Sequence, residues 1–307
     1  MNASFDLALD AARAAAGLQH YPQATLYVVA TPIGNLADIS LRALHVLQLV
    51  DAIACEDKRH SQPLLRQYGI ETGGAKPLLA VHQHNEAEAA QGVVERLQRG
   101  ERVAYISDAG TPAVSDPGAR LVAAVRAAGL AVMPLPGASS VTTVLSAAGV
   151  TRAEGGTDNA TGFVFAGFLP TKAGERDLAL QALKADTRAV VILEAPHRIE
   201  ALARAMAVLQ DRPVTIGREL TKQFEEIATV RADGFAAWLA AGPQRTRGEF
   251  ALVLHASAAQ EEAGDSTRVL QLLLAELPLK TAVKLAADIT GASRNVLYET
   301  ALKLKNE

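Results

Sequence analysis

Short apolar runs rich in β-branched residues alternate with amphipathic stretches through the first 150 residues. The apolar runs predict strands at residues 25–30, 50–55, 78–81, 102–106 and 131–135. Several of the intervening stretches carry apolar residues at helical spacing, such as the one through residue 49 that either Asp38 or Ser40 is placed to cap. This alternation predicts a mainly parallel sheet, which would bind its ligands at the carboxyl ends of the strands.

A polar segment with two adjacent glycines, residues 151–161, predicts a linker to a second domain. Beyond this linker the pattern predicts strands at residues 163–167, 189–194, 214–218, 226–231 and 249–255. Helices are predicted between them at residues 175–183, 198–209 and 235–240. Strands follow one another more directly here than in the first half, so we expect a mixed sheet.

The two ends of the chain differ from these domains. Residues 1–20 are alanine-rich but interrupted by charges, which predicts a short helix or a frayed extension rather than a signal peptide. A second polar segment, residues 256–265, precedes predicted helices at 266–276, 280–289 and 293–302. We therefore expect an N-terminal extension (1–24), a first α/β domain (25–155), a second α/β domain (156–258) and a small C-terminal helical appendage (265–307).

Composition limits the class of protein. No apolar run reaches 18 residues, which argues against a membrane span. Cys55 is the only cysteine, so neither an intrachain disulfide nor a cysteine cluster for a metal can form, and we expect a cytoplasmic protein. The net charge of −3 gives no support for a nucleic-acid partner, although residues 266–305 carry six Lys/Arg against three acids.

The most informative connection is the loop at residues 107–118, which is longer than a simple turn requires and is dense in hydroxyls, carboxylates and small residues. Helix capping accounts for Ser115 and Asp116, with Pro117 at the first helical position, but it leaves the preceding residues unexplained. Two further turns, at residues 31–35 and 136–140, also follow predicted strands. We expect these three loops to meet at one crevice, and the absence of a G-x-G-x-x-G motif argues against a Rossmann dinucleotide site.

Charged segments also follow the predicted strands. Glu56-Asp-Lys-Arg-His60 reads either as a solvated loop or as a crevice wall whose acids position a hydroxyl and whose cations hold phosphate. Residues 194–198 and 217–222 read either as salt-bridged strand ends or as the opposite wall of the crevice. The two histidines in His82-Gln-His84 lack further ligands at suitable spacing, so we predict no metal site.

These motifs, in their order along the chain, closely resemble the tetrapyrrole-methylase family, in its branch that methylates ribosomal RNA. The resemblance starts near residue 25, reaches the C-terminus, and also includes His84-Asn-Glu86, Gly167-Phe-Leu-Pro170, Pro196-His-Arg198, Arg218-Glu-Leu-Thr-Lys222 and Gly248-Glu-Phe250. It implies two α/β domains of the tetrapyrrole-methylase type with the S-adenosyl-L-methionine donor in the cleft between them. It also implies a homodimer that methylates the ribose 2′-oxygen of a cytidine in the decoding region of 16S rRNA, within the 30S subunit.

The resemblance and the motifs together assign roles to residues, with no metal and no covalent intermediate. The candidate catalytic residues are Glu56, Asp57 and Glu194. The candidate donor-binding residues are Pro32, Gly34, Asp108, Gly110, Thr111, Pro112 and Ser139. The candidate RNA-binding residues are Lys58, Arg59, His84, Asn85, Arg198 and Lys222.

Two other functions remain open from the sequence. A methyltransferase of the same fold could act on a small molecule such as a tetrapyrrole. A non-catalytic nucleic-acid-binding protein could use the C-terminal helices as a helix-turn-helix, but it would leave the three loops without a purpose. Whether the C-terminal helices contact rRNA or only pack is also open.

Overall fold

The computed structural model describes residues 5–82, 85–150, 162–257 and 263–304. Within these ranges the first sheet is fully parallel and has the order β3-β2-β4-β1-β5. Its strands are β1 Thr25–Val29, β2 Ala52–Cys55, β3 Leu78–Ala80, β4 Val103–Ile106 and β5 Ala131–Leu135. The predicted parallel sheet is confirmed. Strand β1 lies between β4 and β5, at the position where successive strands change from one side of the sheet to the other.

Helices cover both faces of this sheet. One face packs against α1 Asp6–Ala16, α2 Leu41–Leu49 and α3 Lys58–Gln67. The other face packs against α4 Glu86–Gln98 and α5 Gly118–Ala127. Of the two alternatives for the N-terminus, a short helix or a frayed extension, the structure has the helix, and the burial of Ala12 and Ala16 joins it to the core. Helix α3 was not predicted, because Pro63 and the charged run before it suggest a loop.

The second sheet is mixed, as predicted, with the order β6-β7-β10-β8-β9. Its strands are β6 Phe163–Phe168, β7 Ala189–Glu194, β8 Pro213–Arg218, β9 Glu226–Arg231 and β10 Phe250–Leu254. Strands β6 and β7 are parallel, whereas β10 runs antiparallel to both β7 and β8. Helices α7 Ala173–Ala185, α8 Ile199–Ala205 and α9 Phe235–Ala240 cover one face of this sheet.

The other face of the second sheet packs against a helix from the first half of the chain. Helix α6, Ser140–Ala148, follows strand β5 but contacts strands β8 and β10. Its Val141 and Val144 join Ile33 in one apolar core with Val191 and Ala251 of the second sheet. The two α/β domains are therefore joined through a shared hydrophobic core, which fixes their relative position.

The C-terminal helices form a separate core. Helices α10 Ala263–Glu276, α11 Leu279–Thr290 and α12 Arg294–Leu304 pack against one another around Leu270, Ala286 and Leu297. The first predicted linker, 151–161, lies outside the described residues, as do residues 258–262 of the second, which was predicted at 256–265. No helix in the described ranges is both long and apolar enough to cross a membrane.

Candidate functional site

A cleft of about 350 Å³ lies between the two α/β domains. The first domain contributes the loops at the carboxyl ends of β1, β2, β4 and β5, which is where a parallel sheet binds its ligands. The second domain contributes the ends of β6, β7 and β8 and the start of β10. The lining residues are Ile33, Glu56, Ser107, Ala109, Gly110, Thr111, Val114, Ser115, Asp116, Ser139, Ser140, Val141, Phe168, Leu193, Glu194, Ala195, Pro196, Leu220, Glu249, Phe250 and Ala251.

Hydrogen bonds join the three loops of the first domain into one wall. The amides of Thr31 and Gly110 each donate to the other residue's carbonyl, at 3.0 and 3.1 Å. The Thr111 hydroxyl donates to the Ala138 carbonyl at 2.9 Å, which ties the loop after β4 to the loop after β5. Gly110 has φ +82°, and a Cβ there would lie 3.1 Å from Ile33. Glycine at this position therefore permits the close approach of the loops.

Asp116 organises the long loop from within. Its carboxylate accepts hydrogen bonds from the amides of Ala113 and Gly118, both at 2.8 Å. It also accepts from the hydroxyl of Tyr105 at 2.9 Å. Burial raises the pKa of that buried phenol, and the nearby carboxylate adds to the effect. Helix α5 begins one residue later than predicted, at Gly118, and Asp116 supplies the acceptor for its first amide.

The lining residues of the cleft include carboxylates but no lysine, arginine or histidine. The acidic residues are Glu56, Asp116, Glu194 and Glu249. Burial raises the pKa of Glu56, and the neighbouring carboxylate of Asp108 raises it further. Such a cleft favours a positively charged ligand and disfavours a phosphate.

Glu194 is the most buried of these acids, with only 2% of its surface exposed. Its Oε1 accepts a hydrogen bond from the Ala195 amide at 2.8 Å. The same oxygen lies 3.0 Å from Nε of Arg198, and this second contact is an ion pair without hydrogen-bond geometry. Its Oε2 has no hydrogen-bond partner among the described residues. Burial raises its pKa, while the charge of Arg198 acts in the opposite direction. A buried carboxylate oxygen without a partner on the cleft wall is an acceptor available to a ligand.

Arg198 was predicted to bind RNA, but the structure gives its guanidinium a structural role. It donates to the Leu169 carbonyl at the end of β6 and pairs with Glu194 at the end of β7. These contacts hold the two strand ends together at the cleft.

Asp57 was predicted to be catalytic, but the structure places its carboxylate at the start of helix α3. Its Oδ1 accepts the Arg59 amide at 2.8 Å, and its Oδ2 pairs with the Arg59 guanidinium at 2.6 Å. The hydrogen bonds from Arg59 lower the pKa of Asp57 to about 2, which makes it a poor proton acceptor. Asp57 is not among the cleft-lining residues, and we do not retain it as a catalytic candidate.

Five of the predicted donor-site and catalytic residues lie on the cleft wall: Glu56, Gly110, Thr111, Ser139 and Glu194. Besides Asp57, the four that do not line it are Pro32, Gly34, Asp108 and Pro112. Gly34 instead packs against Lys222, and a Cβ atom at position 34 would overlap the Lys222 side chain. The backbone amide of the next residue, Asn35, donates a hydrogen bond to the Thr221 hydroxyl at 3.1 Å. The loop after β1 thus contacts the second domain directly, and its cleft-lining residue is Ile33.

Lys222 was predicted to bind RNA, but two carboxylates hold its ammonium group. Its Nζ lies 2.9 Å from Glu219 and 3.0 Å from Glu249. The surrounding loop is strained, because Glu219 and Thr221 have φ values of 51° and 65° without being glycine. Leu220 between them is buried and lines the cleft, so the strain places an apolar side chain against the ligand space.

The remaining predicted RNA contacts divide into two groups. Lys58 and Arg59 are exposed in the first turn of helix α3, beside the cleft. Asn85 stabilises the turn between β3 and α4, because its side chain accepts the His82 amide at 2.8 Å and donates to the Ala80 carbonyl at 3.0 Å. His84 lies outside the described residues.

Sequence reasoning missed the apolar part of the cleft. Phe168, Leu193, Leu220 and Phe250 come from four separate segments of the second domain. Each lies in or next to a strand and reads as an ordinary core residue. Three of them fall within motifs of the family resemblance, at residues 167–170, 218–222 and 248–250, but no role was assigned to their side chains. The sequence also gave no role to His60, whose imidazole contacts Asp108 at 3.0 Å.

Comparisons with known proteins agree with this architecture. The family described as Tetrapyrrole (Corrin/Porphyrin) Methylases matches residues 25–236, and the RsmI C-terminal HTH domain matches residues 260–305. Among solved structures, diphthine synthase has a TM-score of 0.55 at 15% identity over 75% of this chain and 90% of its own. The cobalamin biosynthetic enzyme cobalt precorrin-4 methyltransferase has a TM-score of 0.52 at 17% identity over 75% and 94%. These likenesses show the fold.

Similarity in sequence is closer to proteins named ribosomal RNA small subunit methyltransferase I. The protein of that name from Pseudomonas aeruginosa is 46% identical over 91% of this chain and 97% of its own. The protein of that name from Escherichia coli O157:H7 is 45% identical over 92% and 96%. The predicted fold and resemblance are therefore confirmed: the chain belongs to the tetrapyrrole methylase family, in the group of ribosomal RNA small subunit methyltransferase I.

Proposed function

We propose that this protein transfers the methyl group of S-adenosyl-L-methionine to the ribose 2′-oxygen of a cytidine in the decoding region of 16S rRNA. The observation that carries the proposal is the interdomain cleft, whose lining residues include four carboxylates and no cationic side chain. A sulfonium donor is the cation that this family uses. The names of the relatives supply the rRNA acceptor.

The described residues fit such a donor. A cavity of about 350 Å³ lies within the range of small-molecule sites. The unpartnered Oε2 of Glu194 and the carboxylate of Glu56 can accept hydrogen bonds from hydroxyl or ammonium groups. Because Gly110 has no side chain, a flat group of the donor could lie against its backbone, in space that a larger residue at position 110 would fill. When bound, the donor supplies an electrophilic methyl group.

The chain's own contribution to the reaction is mainly positioning. Methyl transfer requires the acceptor oxygen, the methyl carbon and the sulfur to be in line, and well-oriented reactants are worth about 7–11 kcal/mol. The hydrogen bonds between Thr31 and Gly110, and between Thr111 and Ala138, hold one wall in a fixed shape. The apolar core shared by the domains holds the opposite wall against it. Phe168 and Leu220 cover apolar ligand surface and exclude water.

Cationic groups for an RNA backbone lie around the cleft rather than inside it. Lys58 and Arg59 begin helix α3 beside Glu56. Arg176 adds positive charge near Glu194, and its buried Nε has no hydrogen-bond partner in the described structure. This separation of charge suits a cationic donor within the cleft and a polyanionic acceptor at its mouth.

We further propose that the protein acts as a homodimer in the cytoplasm, with the 30S subunit rather than naked rRNA as its substrate. Exposed apolar side chains beside and on the edge strand β9, Phe224 and Ile227, support an interface there. Sedimentation of the purified protein would measure the assembly state. Comparison of label incorporated into 30S subunits and into naked 16S rRNA would measure the substrate preference.

The test of the proposed function is incubation with radiolabelled S-adenosyl-L-methionine and 30S subunits from cells lacking this gene. Nuclease digestion and mass spectrometry then locate the label. We expect one 2′-O-methylcytidine in the decoding region. Donor binding without label on rRNA would direct the search to small acceptors, and no donor binding would exclude the enzyme itself.

The donor site can be tested separately by calorimetry. Gly110→Trp fills the cleft wall and is expected to abolish donor binding. Gly129→Trp is the matched control, since Gly129 also has positive φ but no neighbour within 4 Å of its Cβ position. Equal donor affinity in the two variants would contradict the placement of the donor.

A further inference from the structure

His60 and Asp108 form a histidine–carboxylate pair beside the cleft. The imidazole Nδ1 lies 3.0 Å from Asp108 Oδ2 and 3.9 Å from Asp57 Oδ2. The other ring nitrogen, Nε2, has no hydrogen-bond partner among the described residues, and 68% of the side chain is exposed. This is the arrangement in which a carboxylate fixes the orientation and tautomer of an imidazole while the second nitrogen remains available to a substrate.

The pair is part of the cleft framework. Asp108 lies between Ser107 and Ala109, which both line the cleft, and its Oδ1 accepts the amide of Asp57 at 3.2 Å. Asp57 in turn follows Glu56, another lining residue. Asp108 therefore bridges the loop after β4 and the start of helix α3. The imidazole is held at the rim, in the same first turn of helix α3 as the exposed side chains of Lys58 and Arg59.

We propose that His60 is the proton acceptor for the ribose 2′-hydroxyl and that Asp108 is the residue that positions it. The inference rests on the proposed function. As the 2′-oxygen forms its bond to the methyl carbon, the carbon–sulfur bond breaks and its electron pair remains on sulfur. The hydroxyl proton passes to Nε2 of His60, and the resulting imidazolium releases it to solvent. The reaction is balanced in charge, because the sulfonium becomes a neutral thioether and one proton is released.

The other candidate acceptors fit this task less well. Asp57 is held by Arg59 with its pKa lowered to about 2. Glu194 is 2% exposed, and a hydroxyl on an RNA strand reaches a rim more easily than a buried oxygen. Glu56 lies on the wall of the cleft, where its negative charge faces the space of the cationic donor. His60 alone among these groups is both exposed and oriented by a hydrogen bond.

The charges around the imidazole determine its pH dependence. The hydrogen bond and the charge of Asp108 raise the pKa of His60 above its usual 6.5, with a smaller rise from Asp57 and an opposing effect of Arg59. Only neutral imidazole accepts a proton, so transfer should increase with pH through this pKa and then level off. Removing the Asp108 charge should move the acidic limb of the profile to lower pH.

The experiment is single-turnover methyl transfer at saturating 30S subunits and donor, between pH 6 and 9. We expect His60→Gln to lower the rate at pH 8 by about 10²–10⁴-fold and to remove the acidic limb. We expect Asp108→Asn to reduce the rate less and to shift the limb to lower pH. His20→Gln is the matched control, because His20 is exposed and lies before strand β1.

Two measurements separate a proton acceptor from a structural or RNA-binding residue. The NMR titration of the His60 ring should give a pKa above 6.5 that falls in Asp108→Asn, whether or not rRNA is a substrate. Donor affinity should be unchanged in His60→Gln. Retention of the wild-type rate and pH profile by His60→Gln, or a change in KM alone, would overturn the inference. Absence of any transfer by the wild type would instead contradict the proposed function.

Discussion

Gly118 is the residue at which the cleft loop approaches the core most closely. A Cβ there would overlap the buried ring of Tyr105 and lie 2.7 Å from Asp116 Oδ1. We expect Gly118→Ala to lower the free energy of unfolding by about 1–3 kcal/mol, because the added methyl group forces the ring and carboxylate apart. Since Asp116 also holds the Ala113 amide, donor affinity should fall as well.

Urea unfolding and calorimetry would measure these two effects. Gly92→Ala in helix α4 is the matched control, because nothing lies within 4 Å of its Cβ position. That change should stabilise the protein by about 0.5–1 kcal/mol through helix propensity. Equal stability of the two variants would show that the loop accommodates the methyl group.

Glu194 opposes stability in order to present a carboxylate. Burial raises the pKa of Glu194 in the folded state above its value in the unfolded chain. The folded protein therefore keeps its full stability at pH values below the unfolded-state pKa of Glu194. It loses part of that stability as the pH rises through the folded-state pKa, because the carboxylate must then be buried with its charge. Glu194→Gln should therefore raise the melting temperature at pH 7.5, with a smaller difference near pH 4, and should weaken donor binding. Thermal unfolding at several pH values would check this. A lower melting temperature at pH 7.5 would show that the Arg198 pair outweighs burial.

At the residue scale, the sequence predicts site residues where backbone conformation or a strand end determines their place. Gly110, Thr111 and Ser139 follow strands directly, and their positions follow from the alternation of strands and helices. The ion pairs of Lys222 were not predicted, because one of its two carboxylate partners, Glu249, lies on a distant segment. A side chain's partners depend on tertiary contacts, which a single sequence does not contain.

At the element scale, Arg212 connects three parts of the second domain. Its side chain is 7% exposed and donates to the carbonyls of Leu183, Arg188 and His255 at 2.7–2.9 Å. Burial lowers its pKa to about 10. We expect Arg212→Met to destabilise the protein by at least about 3 kcal/mol, because three carbonyls lose their donor.

Urea unfolding would measure that loss, with Arg204→Met as the control. Arg204 is exposed on helix α8, and its contact with Glu200 spans 4.0 Å. The control should therefore change stability by no more than about 0.5 kcal/mol. A similarly small change in Arg212→Met would indicate that water replaces the guanidinium.

The elements themselves were predicted better than their packing. The alternation of strand and helix patterns predicted the strands of both sheets, one mainly parallel and one mixed, but not the order of the strands. Helix α3 was missed because a proline and five ionisable residues obscure its pattern. Helix α6 was assigned to the first domain by its place in the chain, but its apolar face covers the second sheet. Periodicity shows that a face is buried, without showing which sheet buries it.

At the scale of the whole molecule, the C-terminal helices have a hydrophobic core of their own. We expect a chain ending at Asp265 to keep its melting temperature and donor affinity. The removed residues, 266–307, carry six Lys/Arg against four acids, so their loss should weaken 30S binding. It should also reduce the slope of the logarithm of the binding constant against the logarithm of the salt concentration by about 1–3. Binding measured between 50 and 200 mM salt would test this. Unchanged methylation and salt slope would show that these helices only pack.

The apolar core shared by Ile33, helix α6 and the second sheet has a kinetic consequence. Opening the protein by swinging one domain away from the other would expose this core to water, so each catalytic cycle must proceed with the domains closed together. Spent donor must then leave through the mouth of the cleft, by motions of surface loops on the nanosecond-to-microsecond timescale rather than by a slower hinge. Release of the spent donor therefore requires no reopening of the two domains.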